Sequence, residues 1–140
     1  MQAKNEVQEL TITTPEALSH RDLAILLYKE RRARDVFLKS GRELWSDPAW
    51  DMLLDLFIAN EEGRMVNVTS ACIGGCIPTS TGLRRVTQLL NAGLIHRTTD
   101  PSDGRKGMLG LTARATSDMK RYLDEILRSR TLGTTITRGA

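Results

Sequence analysis

Residue types that build specialised chemistry are scarce in this 140-residue chain. Its two cysteines, Cys72 and Cys76, are too few for a disulfide-rich scaffold and point to a cytosolic setting with reduced thiols. Its two histidines, His20 and His96, stand at no zinc-site spacing from those cysteines, so no metal is expected. No apolar run approaches the ~18–20 residues of a membrane span. The first residues, Met1-Gln-Ala-Lys-Asn-Glu6, lead into no hydrophobic signal segment, so the expected location is cytoplasmic. Catalytic patterns are missing too. Gly74-Gly75 is followed by Cys-Ile-Pro rather than the Lys-Ser/Thr of a phosphate-cradling loop. The serines have no His/Asp companions at a recognisable spacing, and Glu61-Glu62 sits at a helix end as solvated punctuation. The sequence reads as a non-enzyme with no cofactor.

What is present is enough for one folded domain. Hydrophobic residues make up 40% and charged residues 26%, which excludes a disordered chain, and the length leaves little room for a second core. The net charge of +3 hides an asymmetry. Residues 1–63 are acidic, with 8 basic and 12 acidic side chains, whereas residues 64–121 hold 9 basic against 3 acidic. The second half would therefore attract a polyanion, since each cation near a phosphate releases a condensed counterion.

Local signals divide the chain. Residues 1–13 carry no packing pattern and read as a flexible arm. Thr14 followed by Pro15 predicts a helix start, and Leu23, Leu26 and Leu27 form a stripe joined by Val36 and Phe37, within an N-terminal helical region 14–45. Ser46-Asp47-Pro48 predicts a second start, with Trp50, Leu53, Leu54 and Phe57 at core spacing. A short helix is expected over 69–74. Another covers 79–91, capped by the hydroxyls of Thr79 to Thr81, with Leu83, Val86, Leu89 and Leu90 buried and Gly93 as a left-handed stop. The period then becomes extended at Leu94–Thr98, turns at Pro101-Ser-Asp-Gly104, and returns through Met108, Leu109 and Leu111, a β-hairpin. Thr112 caps a final helix, 113–130, carrying Met119, Tyr122, Leu123, Ile126 and Leu127; residues 131–140 read as a disordered tail. The fold class is mainly α with a small β-hairpin wing, a winged helix-turn-helix over 46–112.

That order of elements favours double-stranded DNA as a partner. On the helix 79–91, Arg84 and Gln88 are i, i+4 neighbours able to reach base edges together, arginine toward guanine and glutamine toward adenine in the major groove. Thr79, Ser80 and Thr81 stand where hydroxyls and backbone N–H groups grip phosphate. Arg85 has two readings, a second cation of this helix facing DNA or a stem lying against the core with its head outward. At the hairpin tip Arg105 and Lys106 fit the minor groove, while Asp103 is either a turn residue or a wing-orienting one. A different class of function, a winged helix working as a protein–protein adaptor through its acidic first half, is the alternative.

Residues 48–116 resemble the winged-helix core of MarR-type (multiple antibiotic resistance regulator) transcription factors. The likeness rests on Asp100-Pro-Ser-Asp-Gly-Arg-Lys-Gly-Met-Leu-Gly-Leu-Thr112, where Asp103 and Arg105 fill an Asp-x-Arg unit and Leu109-Gly-Leu-Thr112 the strand end. Thr81, Arg84 and Leu89…Gly93-Leu94 match the recognition helix and its exit. Gly104, Ala115 and Pro78 depart from the family pattern, which has a basic residue, a glycine and a serine there. The resemblance implies a homodimeric regulator whose N- and C-terminal helices form the interface, with Arg105 the minor-groove arginine aimed by Asp103. Interface candidates are Leu23, Leu26, Leu27, Tyr122, Leu123 and Ile126, although the leucine stripe reads equally as core. No pattern in residues 1–47 identifies a small-molecule effector. Some relatives sense oxidants through cysteine; here nothing nearby lowers a thiol pKa, so Cys72 and Cys76 read as small buried hydrophobes.

Overall fold

A computed structural model describes residues 18–38, 40, 46–99, 102 and 107–139, with side chains described as far as residue 130. Among the described residues five helices and three strands follow in order: α1 (His20–Phe37), α2 (Pro48–Glu61), β1 (Val66–Asn67), α3 (Val68–Gly74), α4 (Thr79–Asn91), β2 (Ile95–Thr99), β3 (Gly107–Leu111) and α5 (Ala113–Gly139). This is a winged helix-turn-helix, mainly α with a hairpin wing. No described helix is long and apolar enough to cross a membrane.

The caps show why the helices begin where they do. Ser19 is extended and its hydroxyl accepts from the Asp22 N–H, which starts α1 at His20, while the helix start expected at Thr14-Pro15 lies outside the described residues. Asp47 accepts from the Trp50 N–H, with Pro48 in the first turn, as expected. Asn67 caps α3, and Thr112 caps α5 by accepting from the Ala115 N–H at 3.1 Å. The Thr112 hydroxyl also donates to the Gly93 carbonyl at 2.9 Å, tying the last helix to the exit of α4. Gly93 has φ +74° and the Leu94 N–H reaches back to the Leu89 carbonyl, which is the left-handed stop that the sequence predicts.

The core is built around α2, which is buried almost all round: Met52, Leu54, Leu56, Phe57, Ile58 and Ala59 are all buried. Trp50 and Leu53 pack on its edge only half-buried. Leu23 and Ala24 of α1, Leu89 and Val86 of α4, Ile95, Leu109 and Leu111 of the sheet, and Met119 and Leu123 of α5 close the cluster. Burial on this scale, about 25 cal/mol per Å² of apolar surface, is what holds the short elements in place.

Four expectations need correction. Leu23 and Leu123 are completely buried within the single chain, where α1 packs against α5, so neither is free to meet a second copy. Leu83 is 46% exposed. The inward stripe of α4 is Gly82, Val86 and Leu89, because α3 crosses so closely that a Cβ on Gly82 would lie 2.9 Å from the Cβ of Cys72, and that rotation leaves Leu83 on the flank. A third strand, β1, joins the wing and makes an antiparallel sheet of order β1-β3-β2, with Val66 opposite Leu109 and Ile95 opposite Leu111. Finally, residues 131–139 continue α5 instead of forming a disordered tail. An established helix gains one hydrogen bond for each residue it adds, so even Thr- and Gly-containing sequence is carried along.

Candidate nucleic-acid interface

Helix α3, a tight turn and helix α4 form the helix-turn-helix, and two polar contacts fix the turn from outside. Tyr28 on α1 donates its hydroxyl to the Gly74 carbonyl at 2.6 Å, and its oxygen lies 3.7 Å from the Cys76 Sγ. Cys76 itself has φ +56°, a left-handed conformation that a non-glycine residue adopts only when its surroundings hold it. Burial, then the neighbouring thiol, push the Tyr28 hydroxyl above the ordinary phenol range, so it stays a neutral donor.

Behind Tyr28 lies a buried charge cluster that the sequence reading missed. Asp51 on α2 is 1% exposed. Arg31 donates to its Oδ1 through Nε, and Arg32 donates to Oδ2 at 2.7 Å. The Arg32 guanidinium sits 4.9 Å from the centre of the Tyr28 ring, a cation–π contact. Burial is the largest influence and works against the Arg32 charge, but the hydrogen bond to Asp51 together with the neighbouring negative charges of Asp51, Cys76 and Asp35 outweighs it and raises the pKa. Arginine, aspartate and tyrosine thus link α1, α2 and the turn. The signal available in advance was Tyr28 and Arg32 at i, i+4, with an acid in the first turn of the following helix.

Beyond the turn, α4 presents its outer face. Thr79, Ser80, Leu83, Arg84, Thr87, Gln88 and Asn91 are exposed, and Thr81 and Arg85 are half-exposed. The predicted hydroxyl cap is absent: Pro78 occupies the N-cap and no side chain bonds the first turn. The N–H groups of residues 79–81 therefore have no partner within the helix, and they open at its positive end. Arg84 makes no ion pair among the described residues. Arg85 donates through Nη1 to the Gln88 Oε1 at 2.9 Å, so the amide is oriented by Arg85. Arg85 is half-exposed, and its head lies on the polar face against Gln88.

Strand β2 carries His96, Arg97, Thr98 and Thr99 outward, all exposed. Arg97 was not singled out in the sequence, although it stands in the basic half. The wing-tip residues Asp103, Arg105 and Lys106 lie outside the described residues, as does the arm 1–13.

The remaining candidates separate cleanly. Cys72 is 2% exposed, packed against Gly82, and burial pushes its thiol up, which makes it an inert packing group. Cys76 is half-buried. Among the expected interface residues, Leu27 and Ile126 pack partly against the core, while Leu26 and Tyr122 are 38% and 44% exposed. Tyr122 meets Trp50 edge to face at 5.3 Å between ring centres. A cleft of about 310 Å³ opens beside this pair, lined also by Leu27, Glu30, Arg31 and Arg34. No cluster of three or more His, Cys, Asp or Glu side chains suited to a metal occurs among the described residues.

No family model matches the chain, and no curated protein matches it in sequence. Solved structures do. A mutant of S. aureus MepR superposes with a TM-score of 0.53 at 15% identity, over 81% of this chain and 79% of that one. S. aureus MepR in its DNA-binding conformation gives 0.51 at 14%, over 81% and 79%. NadR in complex with 4-hydroxyphenylacetate gives 0.51 at 22%, over 81% and 78%. At such identities what these structures share with this chain is the fold, a winged helix-turn-helix.

Proposed function

We propose that this chain is a sequence-specific regulator of transcription that binds double-stranded DNA as a homodimer. The observation that carries this reading is the outer face of α4. An exposed guanidinium at Arg84 has no ion pair among the described residues. It stands beside an amide held by Arg85 and beyond an uncapped, hydroxyl-rich helix start, on a fold shared with a protein solved in a DNA-binding conformation. Helix α4 enters the major groove, where Arg84 and Gln88 reach base edges and Thr79, Ser80 and Thr81 meet phosphate. Arg105 and Lys106 at the wing tip take the adjacent minor groove, with Asp103 orienting the tip.

Two copies reading a pseudo-palindromic site place their helices about 34–36 Å apart, one helical turn. The surfaces that support pairing are Leu26, Tyr122 and the apolar end of α1, where Val36, Phe37 and Leu38 are 61%, 82% and 57% exposed. Selection of bound duplexes from a random pool, followed by titration of the Arg84→Ala and Arg105→Ala proteins, tests the proposal. Arg84→Ala relaxes base preference at one position of each half-site; Arg105→Ala weakens all sequences alike and flattens the salt dependence. If both variants bind like the parent the assignment fails, and a monomer that ignores DNA at low salt is the protein–protein adaptor instead.

A further inference from the structure

The wing holds a second arginine whose placement depends on a glycine across the strand. Arg97 lies on β2 opposite Leu109, two positions along the ladder from the Thr99–Gly107 pair and on the same face of the sheet. It is exposed and makes no ion pair among the described residues. Its guanidinium does not trail along its own strand. It lies over Gly107 of β3, so closely that a Cβ there would stand 2.5 Å from Nη2 and 2.7 Å from Cζ. β1 ends at Asn67 opposite Met108, so the sheet is only two strands wide at this point. His96, which points to the other face, is treated in the same way: a Cβ on Gly110 would stand 3.1 Å from its ring. His96 faces Gly110 in register, whereas the Arg97 guanidinium reaches Gly107 diagonally.

We propose that Arg97 is a DNA-contacting residue of the wing and that Gly107 is its seat, the missing side chain leaving room for the guanidinium to cross β3. This rests on the DNA-binding reading above. An arginine extended into solvent must be ordered before it binds, and that ordering costs affinity. One laid across a bare strand has its planar fork already placed. Arg97 lies between the exit of α4 and the wing tip, so the group it meets is a phosphate flanking the groove that the tip enters, and its contribution is independent of base sequence.

Gly107 has no positive φ, so alanine suits its backbone, and the nearest atoms a methyl would meet belong to the flexible end of Arg97. The Gly107→Ala substitution therefore moves the guanidinium without unfolding the wing, which thermal unfolding verifies. The experiment is titration of fluorescent duplexes, one selected and one scrambled, with the parent, Arg97→Ala, Gly107→Ala and the double variant at several salt concentrations. Arg97→Ala is expected to weaken both duplexes by the same three- to tenfold and to lower the slope of log affinity against log salt by about 1. Gly107→Ala weakens binding in the parent but not in the Arg97→Ala background. Full binding and an unchanged slope for Arg97→Ala overturn the inference and leave the DNA-binding reading standing. Additive losses in the double variant overturn the role of Gly107 as a seat. A parent protein that binds neither duplex overturns the DNA-binding reading itself, and the inference with it.

Discussion

Arginines serve two opposite purposes in this molecule, and location separates them. At the junction of α1 and α2, Arg31 and Arg32 are 15% and 27% exposed and both are committed to Asp51, a carboxylate with 1% exposure. On α4 and the wing, Arg84 and Arg97 are exposed and have no acidic partner among the described residues. A charge withdrawn from water needs its counter-charge within the fold. One left at the surface without an acid remains available for a polyanion. The same residue type is thus structural at the junction of α1 and α2 and, among the described residues, left without an acid on α4 and the wing.

The comparison breaks most visibly at Asp51. Replacing it by alanine leaves two guanidinium groups at the junction without their acceptor, and loss of one partner of a buried pair costs about 3–5 kcal/mol. Because Arg31 and Arg32 retain some solvent, a loss of about 3 kcal/mol by urea denaturation is expected, with DNA affinity falling only as the folded fraction falls. Arg84→Ala is the mirror image. Its stability stays within about 0.5 kcal/mol of the parent, whereas discrimination between the selected duplex and one altered at a single base pair falls by about 1–3 kcal/mol. If Asp51→Ala proves as stable as the parent, the junction is not a structural charge cluster and the division collapses.

An intermediate case sharpens it. Tyr28→Phe removes the hydrogen bond to the Gly74 carbonyl while keeping the ring under Arg32. About 1 kcal/mol of stability is expected to go, the ordinary worth of one such bond. Since the carbonyl belongs to the last residue of α3, amide exchange should rise first in the turn 75–78 and the start of α4. Uniform acceleration across the chain would show that Tyr28 supports the core generally rather than the turn.

Much of this was legible from the residues alone, for physical reasons. Asp47-Pro48, Gly93-Leu94 and Thr112 announce their helix ends because capping is local, and the structure places each as the spacing predicts. Where the sequence reading fell short, the deciding contact is between elements. Leu83 has the spacing of a core residue, but the approach of Cys72 to Gly82 turns α4 past it. Leu23 and Leu123 are apolar whether they face a partner chain or their own, and only the packing of α1 on α5 decides. Val66-Asn67 is too short to show a period and becomes a strand because β3 lies beside it. The Arg97–Gly107 pair, ten residues apart, is invisible until the hairpin register is known. The exposure of Arg84, Thr87, Gln88 and Asn91 on α4 was readable, since exposure of a helix flank follows from its own pattern.

The smallest effect lies at Asp55, between the two regimes. This carboxyl on α2 is half-buried against α3, where a Cβ on Gly74 would lie 2.7 Å from its Cγ. Burial lifts its pKa above the usual carboxylate range, with the charge of Glu62 adding and that of Arg64 opposing. The native chain therefore holds this proton more tightly than the unfolded chain does. Its contribution favours folding below the unfolded pKa and is lost as pH rises through the native one. Asp55→Asn keeps the shape and removes the charge, so it should raise stability at neutral pH by less than about 1 kcal/mol, with the gain vanishing in acid, where both proteins are neutral at this position. Denaturation midpoints of the two proteins measured from about pH 3 to pH 8 check this, a range that brackets the carboxylate titration. An asparagine variant that is weaker at neutral pH would mean that attraction to Arg64 outweighs burial, and Asp55 would then join Asp51 among the acids that hold an arginine in place.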